Sequence, residues 1–137
     1  MPASAGSLAR TLGLMSTVTV DFVARGADAN SWHLVLVEQG PWPAADVTSE
    51  LRRVQDRLYG CLDAALDGKV AEKFPDSTGR QITIRLDAYD LPEMEVRDFF
   101  NAFASQVLKT PDYATALAGS QWVSGVEFEL SLRALPT

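Results

Sequence analysis

The sequence contains one cysteine and one histidine among its 137 residues. Since a disulfide needs two thiols, Cys61 cannot form a bridge within the chain, which fits a protein of a reducing compartment. A cluster of metal-bound thiolates is excluded for the same reason, and the one imidazole, His33, cannot make a zinc site by itself. We therefore expect neither a metal nor a cofactor.

Long apolar runs are missing as well. No stretch approaches the roughly 18 uncharged apolar residues that span a membrane. The segment Leu12-Gly13-Leu14-Met15 is too short for the core of a signal peptide. We therefore expect a cytoplasmic protein without a membrane partner.

Positive charge is scarce, because 12 Lys and Arg stand against 18 Asp and Glu, for a net charge of −6. The basic residues are dispersed and form no cluster of the kind that neutralises phosphates, so we expect no nucleic-acid partner. A negative balance suits docking onto a basic protein surface.

The length is that of one domain, which buries roughly two thirds of its unfolded surface. Residues 1–15 show neither strand nor helix spacing and are predicted to be a disordered tail, so the domain covers residues 16–137. Met15 directly precedes the first periodic segment. We hypothesise that Met15 is the natural start, which mass spectrometry of the N-terminus would decide.

Two strands are predicted in the first third of the domain. Val18, Val20 and Phe22 alternate with polar residues, as a half-buried strand requires. Turn residues beginning at Gly26 follow, and residues 32–37 are apolar on nearly both faces, as in a central strand. We expect the two strands to pair as a hairpin.

A long helix is predicted from Asp46, as its N-cap, to about Leu66, and Asp67-Gly68 marks its end. Its apolar residues recur about every 3.6 residues and form one face. They are Val47, Leu51, Val54, Leu58, Leu62 and Ala65. The charged residues expected to stay in water are Arg52, Arg53, Asp56 and Arg57.

Two further strands and a second helix complete the pattern. Residues 82–87 and residues 126–132 alternate between apolar and polar side chains. Pro92 precedes an aromatic-rich helical segment, and a short helical turn is expected over residues 110–117. The order ββαβαβ predicts an α+β fold, a four-stranded mixed sheet with two main helices packed on one face.

Few residues indicate catalytic chemistry. His33 lies in an apolar strand, where pairing with Asp21 or Glu38 would make it a base, although a structural histidine is the commoner case. No obvious cationic neighbour or helix N-terminus is expected to lower the pKa of Cys61. The sequence contains no nucleophile elbow, phosphate-binding loop or zinc-protease helix. We assign no catalytic residue, and the sequence favours a protein that is not an enzyme.

The candidate binding residues are Glu38, Trp42, Tyr59, Arg85 and Asp87. Trp42 lies between two prolines, shortly after Glu38 at a strand end. We weigh two alternatives for its ring: it covers the edge of the core, or it is exposed as an anchor for a partner.

Arg85 and Asp87 project from the polar side of the third strand. Two interpretations are open for this pair. In the first, Arg85 and Asp87 form ion pairs with Glu127 or Glu129 across neighbouring strands; in the second, they bind a small polar ligand.

Several short motifs together resemble a known pattern. They are Leu34-Val35-Leu36-Val37-Glu38 followed by Pro41-Trp42, the helix residues Leu51, Gln55, Leu58 and Tyr59, and then Asp67-Gly68, Phe74-Pro75 and Ile82-Thr83-Ile84-Arg85-Leu86-Asp87. Over residues 20–132 the chain resembles a bacterial family of small cytoplasmic α+β proteins, a domain of unknown function. The resemblance implies the fold and a bacterial setting and brings no substrate, cofactor or catalytic residue. Residues 1–14 and 110–121 depart from the family pattern.

Three functional hypotheses remain open. The first is a non-enzymatic protein-interaction module, an acidic adaptor or immunity-like protein, with a protein partner or self-association through a sheet face or edge. The second is a small-molecule-binding protein or a hydrolytic enzyme, which needs a concave cleft that gathers His33, Glu38, Tyr59 and Arg85. The third is a structural subunit, which would show as a large exposed apolar patch.

Overall fold

The computed structural model describes residues 20–26 and 30–133, and it contains four strands and four α-helices in this part of the chain. The strands are β1 (Phe22–Arg25), β2 (Ser31–Gln39), β3 (Arg80–Tyr89) and β4 (Val123–Arg133). The helices are α1 (Val47–Leu66), α2 (Lys69–Lys73), α3 (Glu93–Gln106) and α4 (Pro111–Ala118). Short 3₁₀ segments precede α1, follow α2 and follow α3.

The strands form one mixed sheet in the order β1-β2-β3-β4. β1 pairs antiparallel with β2, whereas β2, β3 and β4 run parallel to one another. Each parallel step is made by a helical crossover, and crossovers of this kind are right-handed. Because both steps move in the same direction across the sheet, the helices lie on the same face. The predicted α+β fold, with a mixed sheet and its helices on one face, is confirmed.

The hydrophobic core lies between the sheet and the helices. Alternation in β2 and β3 turns every second residue towards α1 and α3, and most of these apolar side chains are at most 1% exposed. They include Leu34, Leu36, Ile82, Ile84 and Leu86. The helices contribute Leu58, Leu62 and Phe100 to the same cluster. The apolar faces of the helices and of the strands therefore pack together in one core.

The elements differ most from the prediction in three places. β1 begins at Phe22, while Val18 and the predicted tail lie outside the described residues. β4 begins at Val123 rather than at residue 126. The short helix α2 lies just after Gly68, where no element was predicted, because Gly68 adopts φ 88° and redirects the helical chain, which winds again from Lys69. The predicted helical turn over residues 110–117 is α4.

The start of α1 shows a further correction. Asp46 occupies the N-cap position, but its carboxylate makes no capping hydrogen bond. The preceding 3₁₀ segment leaves Asp46 at φ −103° and ψ −1° instead of the extended conformation that a capping residue usually has. Ser49 instead donates its hydroxyl to the carbonyl of Asp46 at 3.0 Å. None of the described helices is long and apolar enough to cross a membrane.

Candidate functional site

Glu38, near the end of β2, lies at the centre of a cluster of arginines and carboxylates. Its side chain points to the helix-covered face, where Arg53 and Arg57 of α1 lie one turn apart. Arg53 donates from Nη2 to Oε1 at 2.6 Å and from Nη1 to Oε2 at 2.8 Å, which is a bidentate pair. Arg57 donates from Nη1 to Oε2 at 2.6 Å. Glu38 is only 6% exposed, so two cations compensate one buried carboxylate.

Arg57 extends this cluster to the residue before β1. Its Nη2 donates to Asp21 Oδ2 at 3.0 Å, and the same oxygen accepts the N–H of Val37 at 2.6 Å. The Arg57 side chain is 15% exposed, so the expectation that it stays in water is wrong. A long arginine stem can lie along apolar surface, and the buried carboxylates draw its head inwards. Arg53 is 48% exposed and does reach water.

The cluster changes the protonation equilibria of its members. Burial raises the pKa of the Glu38 carboxyl, but hydrogen bonds from Arg53 and Arg57 outweigh burial and hold that pKa below its ordinary value. The hydrogen bond to Glu38 raises the pKa of Arg53. Burial lowers the pKa of Arg57, but Glu38 and Asp21 more than offset it. Glu38 is therefore ionised and hydrogen-bonded to this chain's own arginines, which join β2 to α1.

Trp42 lies in the tight connection after β2, in which the Gly40-Pro41 peptide bond is cis. Gly40 donates its N–H to the carbonyl of Tyr89 at 2.8 Å, and a Cβ at Gly40 would collide with the carbonyl oxygen of Asp90. Glycine is therefore required where the connections after β2 and β3 meet. The Trp42 ring is half-buried and packs against the hydrophobic core, as the core-covering alternative predicts.

Tyr59 lies on α1, beside an aromatic groove of about 330 Å³ whose walls include Phe99 and Phe103 of α3. Its ring stacks on Tyr113 with centroids 5.9 Å apart and meets Phe103 edge-on at 5.1 Å. Tyr113 donates its hydroxyl to Asp63 Oδ1 at 2.7 Å, which ties α4 to α1. Burial, followed by this hydrogen bond, raises the pKa of Tyr113. The groove is shallow and aromatic.

Arg85 and Asp87 lie on the sheet face opposite the helices. Arg85 donates from Nε to Asp87 Oδ1 at 2.9 Å and from Nη2 to Oδ2 at 3.1 Å. The ion pair therefore lies within β3, because residues two apart on a strand share a face. The hydrogen bond to Asp87 raises the pKa of Arg85, and the charge of Glu129, its register neighbour on β4, adds to this shift. Glu129, one of the two predicted cross-strand partners of Arg85, lies beside it on β4, but the residue that accepts the hydrogen bonds of Arg85 is Asp87.

His33 lies on the same face as Arg85, towards the other end of the strands. It is in register with Thr83 on β3. His33 and Thr83, together with Glu127 and Glu129, line an open groove of about 580 Å³. Asp21 and Glu38 were the candidate partners that would make His33 a base. Both accept hydrogen bonds from Arg57 on the opposite face of the sheet.

The sheet thus separates the predicted site residues. Glu38 faces the helices, whereas His33 and Arg85 face away from them, because neighbouring residues of a strand point to opposite faces. Tyr59 lies elsewhere, beside the groove between α1 and α3. In the part of the chain that the structure describes, these four side chains do not line one cleft.

Cys61 is buried on α1, and burial raises the pKa of its thiol to about 12. Among residues 20–26 and 30–133, no three His, Cys, Asp or Glu side chains come together as a metal site. The arginine partners of Glu38 are the contacts that sequence reasoning missed. The sequence did contain a signal for this contact: Arg53 and Arg57 are spaced four residues apart on the predicted helix, and the preceding predicted strand ends in the acid Glu38.

The outer edge of β4 is a second feature of interest. β4 is the last strand of the sheet, and no described segment pairs with its outer side. The carbonyl of Arg133 accepts the N–H of Asp90, so the backbone groups of Arg133 face β3. Along a strand, the N–H and C=O groups of successive residues point alternately to one side and to the other. The register with β3 is regular over this stretch, so the N–H and C=O groups of Phe128, Leu130 and Leu132 face outwards.

No family model, curated protein or solved structure matches this chain. The resemblance to a bacterial family therefore stays a prediction, and the function has to be inferred from the geometry.

Proposed function

We propose that this protein is an interaction module that binds another polypeptide along the outer edge of β4. The observation that carries the proposal is the outward row of backbone groups at Phe128, Leu130 and Leu132, on a strand that no described segment pairs on that side. An exposed strand edge is a template for a further strand, because its N–H and C=O groups lack strand partners. Main-chain hydrogen bonds then supply affinity, and side chains supply specificity.

The side chains along this edge favour a specific partner. Phe128, Leu130 and Leu132 lie towards the helices, are half-buried and pack against the core. Glu127 and Glu129 point to the opposite face and are exposed. A partner strand is therefore offered an apolar row on one face and an acidic row on the other.

Site-specific photo-crosslinking tests the proposal. A benzophenone amino acid replaces Leu130 in the full chain expressed in its native cells, and a matched variant carries it at Arg52, which is exposed on α1. We expect discrete adducts with a polypeptide at position 130 and none at position 52. The absence of any protein adduct at position 130 would contradict the proposal.

A second candidate is a small-molecule-binding protein, favoured by the groove of about 580 Å³ beside His33. Glu127 and Glu129 supply carboxylates there, and His33 supplies an imidazole, so a small cationic ligand suits the groove. A library of small amines screened by NMR chemical shifts tests this candidate. Saturable shifts at His33 and Thr83 that disappear in Glu127→Gln would support it, and unchanged shifts throughout the library would remove it.

A further inference from the structure

We infer that the polypeptide bound by β4 is a second copy of this chain, paired antiparallel to it, edge to edge. The inference rests on the proposed function, because it names the partner of the same edge. Two identical strands can pair about a twofold axis only if the sequence is complementary to its own reverse. The residues of β4 meet this condition best in one register.

Backbone direction restricts the registers that are available. Phe128, Leu130 and Leu132 present their N–H and C=O groups outwards, so in an antiparallel pair outward-facing residues must lie opposite one another. A twofold axis at Leu130 satisfies this condition, with Leu130 opposite the partner's Leu130. Phe128 then lies opposite the partner's Leu132. Both of these are hydrogen-bonded pairs, and both place apolar side chains together on the helix-covered face.

The same axis pairs the charges on the other face. Glu127 lies opposite the partner's Arg133, and twofold symmetry makes this contact twice. Glu129 lies opposite the partner's Ser131, which is neutral. Opposite charges in directly facing positions stabilise a strand pair, and like charges destabilise it. Residues 127–133 of each copy therefore pair without a single like-charge contact.

Neighbouring registers are less favourable. An axis at Glu129 places the two Glu129 carboxylates opposite each other, and an axis at Phe128 places Glu127 opposite the partner's Glu129. An axis at Ser131 pairs Glu129 with the partner's Arg133, but of the residues that the structure describes it aligns only 129–133. The two glutamates thus act against the registers centred on Phe128 and Glu129, as charged edge residues do in natural sheets, while Arg133 permits the longer pairing centred on Leu130.

The surroundings of these residues agree with this register. Arg133 is exposed, its Nε donates to Ser131 Oγ at 2.9 Å, and its guanidinium lies 6.0 Å from the Tyr89 ring centroid. Arginine has five N–H donors, so the ones on Nη1 and Nη2 remain for a carboxylate. Phe128 is held by Phe103 at 5.6 Å between ring centroids, so the edge is anchored to the core. Pairing would extend the sheet through both copies, with the helices of both on one face.

A charge-swap cycle in the full chain tests the inference by sedimentation equilibrium over a range of concentrations. We expect a concentration-dependent dimer, weakened at least about tenfold by Arg133→Glu or by Glu127→Arg, since each creates two repulsive contacts. The double variant Glu127→Arg with Arg133→Glu should restore the dimer. Arg52→Glu is the matched control, because it reverses an exposed arginine of α1, and it should change nothing. Rescue by Glu129→Arg with Arg133→Glu instead would overturn the register centred on Leu130.

Amide hydrogen exchange supplies an independent readout of the same edge. In the monomer, the N–H groups of Glu127, Glu129 and Ser131 face β3 and should exchange slowly, whereas those of Phe128, Leu130 and Leu132 should exchange fast. In the dimer the second set should slow as concentration rises.

A chain that stays monomeric at every concentration, with fast outward amides, overturns the inference. The proposed function then stands or falls separately, on whether a crosslink at position 130 captures a different polypeptide.

Discussion

Glu38 Oε2 and Arg57 Nη1 lie 2.6 Å apart, where only 6% of the glutamate side chain and 15% of the arginine side chain is exposed. The bidentate pair with Arg53 lies beside this bond, nearer to solvent. Together these contacts join the end of β2 to the middle of α1. One buried carboxylate thus adds a polar contact to the apolar packing of the helix on the sheet.

We expect Glu38→Gln to lower the free energy of unfolding at pH 7 by about 3 kcal/mol, because removing one partner leaves the charge of the other uncompensated. Urea denaturation measures this loss. Glu50→Gln is the matched control, since Glu50 pairs with the exposed side of Arg53 at 2.7 Å. A more exposed pair of this kind contributes about 0.5 kcal/mol. Equal losses in the two variants would contradict the prediction.

The same carboxyl predicts an acid-dependent stability. Its pKa in the folded state lies below the value in the unfolded chain, so its contribution is fully present above the unfolded pKa of about 4.3. That contribution is lost as pH falls through the folded pKa. We expect the stability gap between the wild-type chain and Glu38→Gln to narrow below about pH 4. Urea titrations at a series of pH values measure the gap, and a gap that stays constant down to pH 3 would argue against it.

Gly68→Ala should destabilise the connection between α1 and α2. Gly68 has φ 88°, and a Cβ there would lie 2.6 Å from Trp122 Cε2. Left-handed strain and overpacking together should cost about 3 kcal/mol. Gly79→Ala separates the two causes, because Gly79 has φ 75° but open space around it, so about 1 kcal/mol is expected. Thermal unfolding measures both, and equal effects would show that the contact with Trp122 is not limiting.

The Cys61 thiol should react only when the protein unfolds. Burial raises its pKa to about 12, so almost no thiolate is present at pH 8, and the side chain is 1% exposed. We expect labelling by a disulfide reagent to follow the rate of unfolding and to accelerate with urea. Rapid, urea-independent labelling of the native chain would show that the thiol is accessible.

Local patterns in the sequence were sufficient for the order of elements and for most of the core. Strand alternation and helical spacing repeat within a few residues, and they predicted both the ββαβαβ order and the face that β3 buries. The end of α1 at Leu66 was also local, because Gly68 can adopt the left-handed conformation that ends a helix. The helix α2 was missed because the same glycine also permits the chain to wind again.

The site was decided only by the tertiary structure. Spacing in α1 shows which residues share a side of the helix, but not that a buried carboxylate lies beneath Arg57, so this arginine was predicted to stay in water. Glu38 was singled out from its place at a strand end, while its partners depend on how α1 crosses the sheet. Likewise, the sequence by itself determined the charges along β4, whereas only the strand order made β4 an edge, because an edge is defined by what does not pair with it.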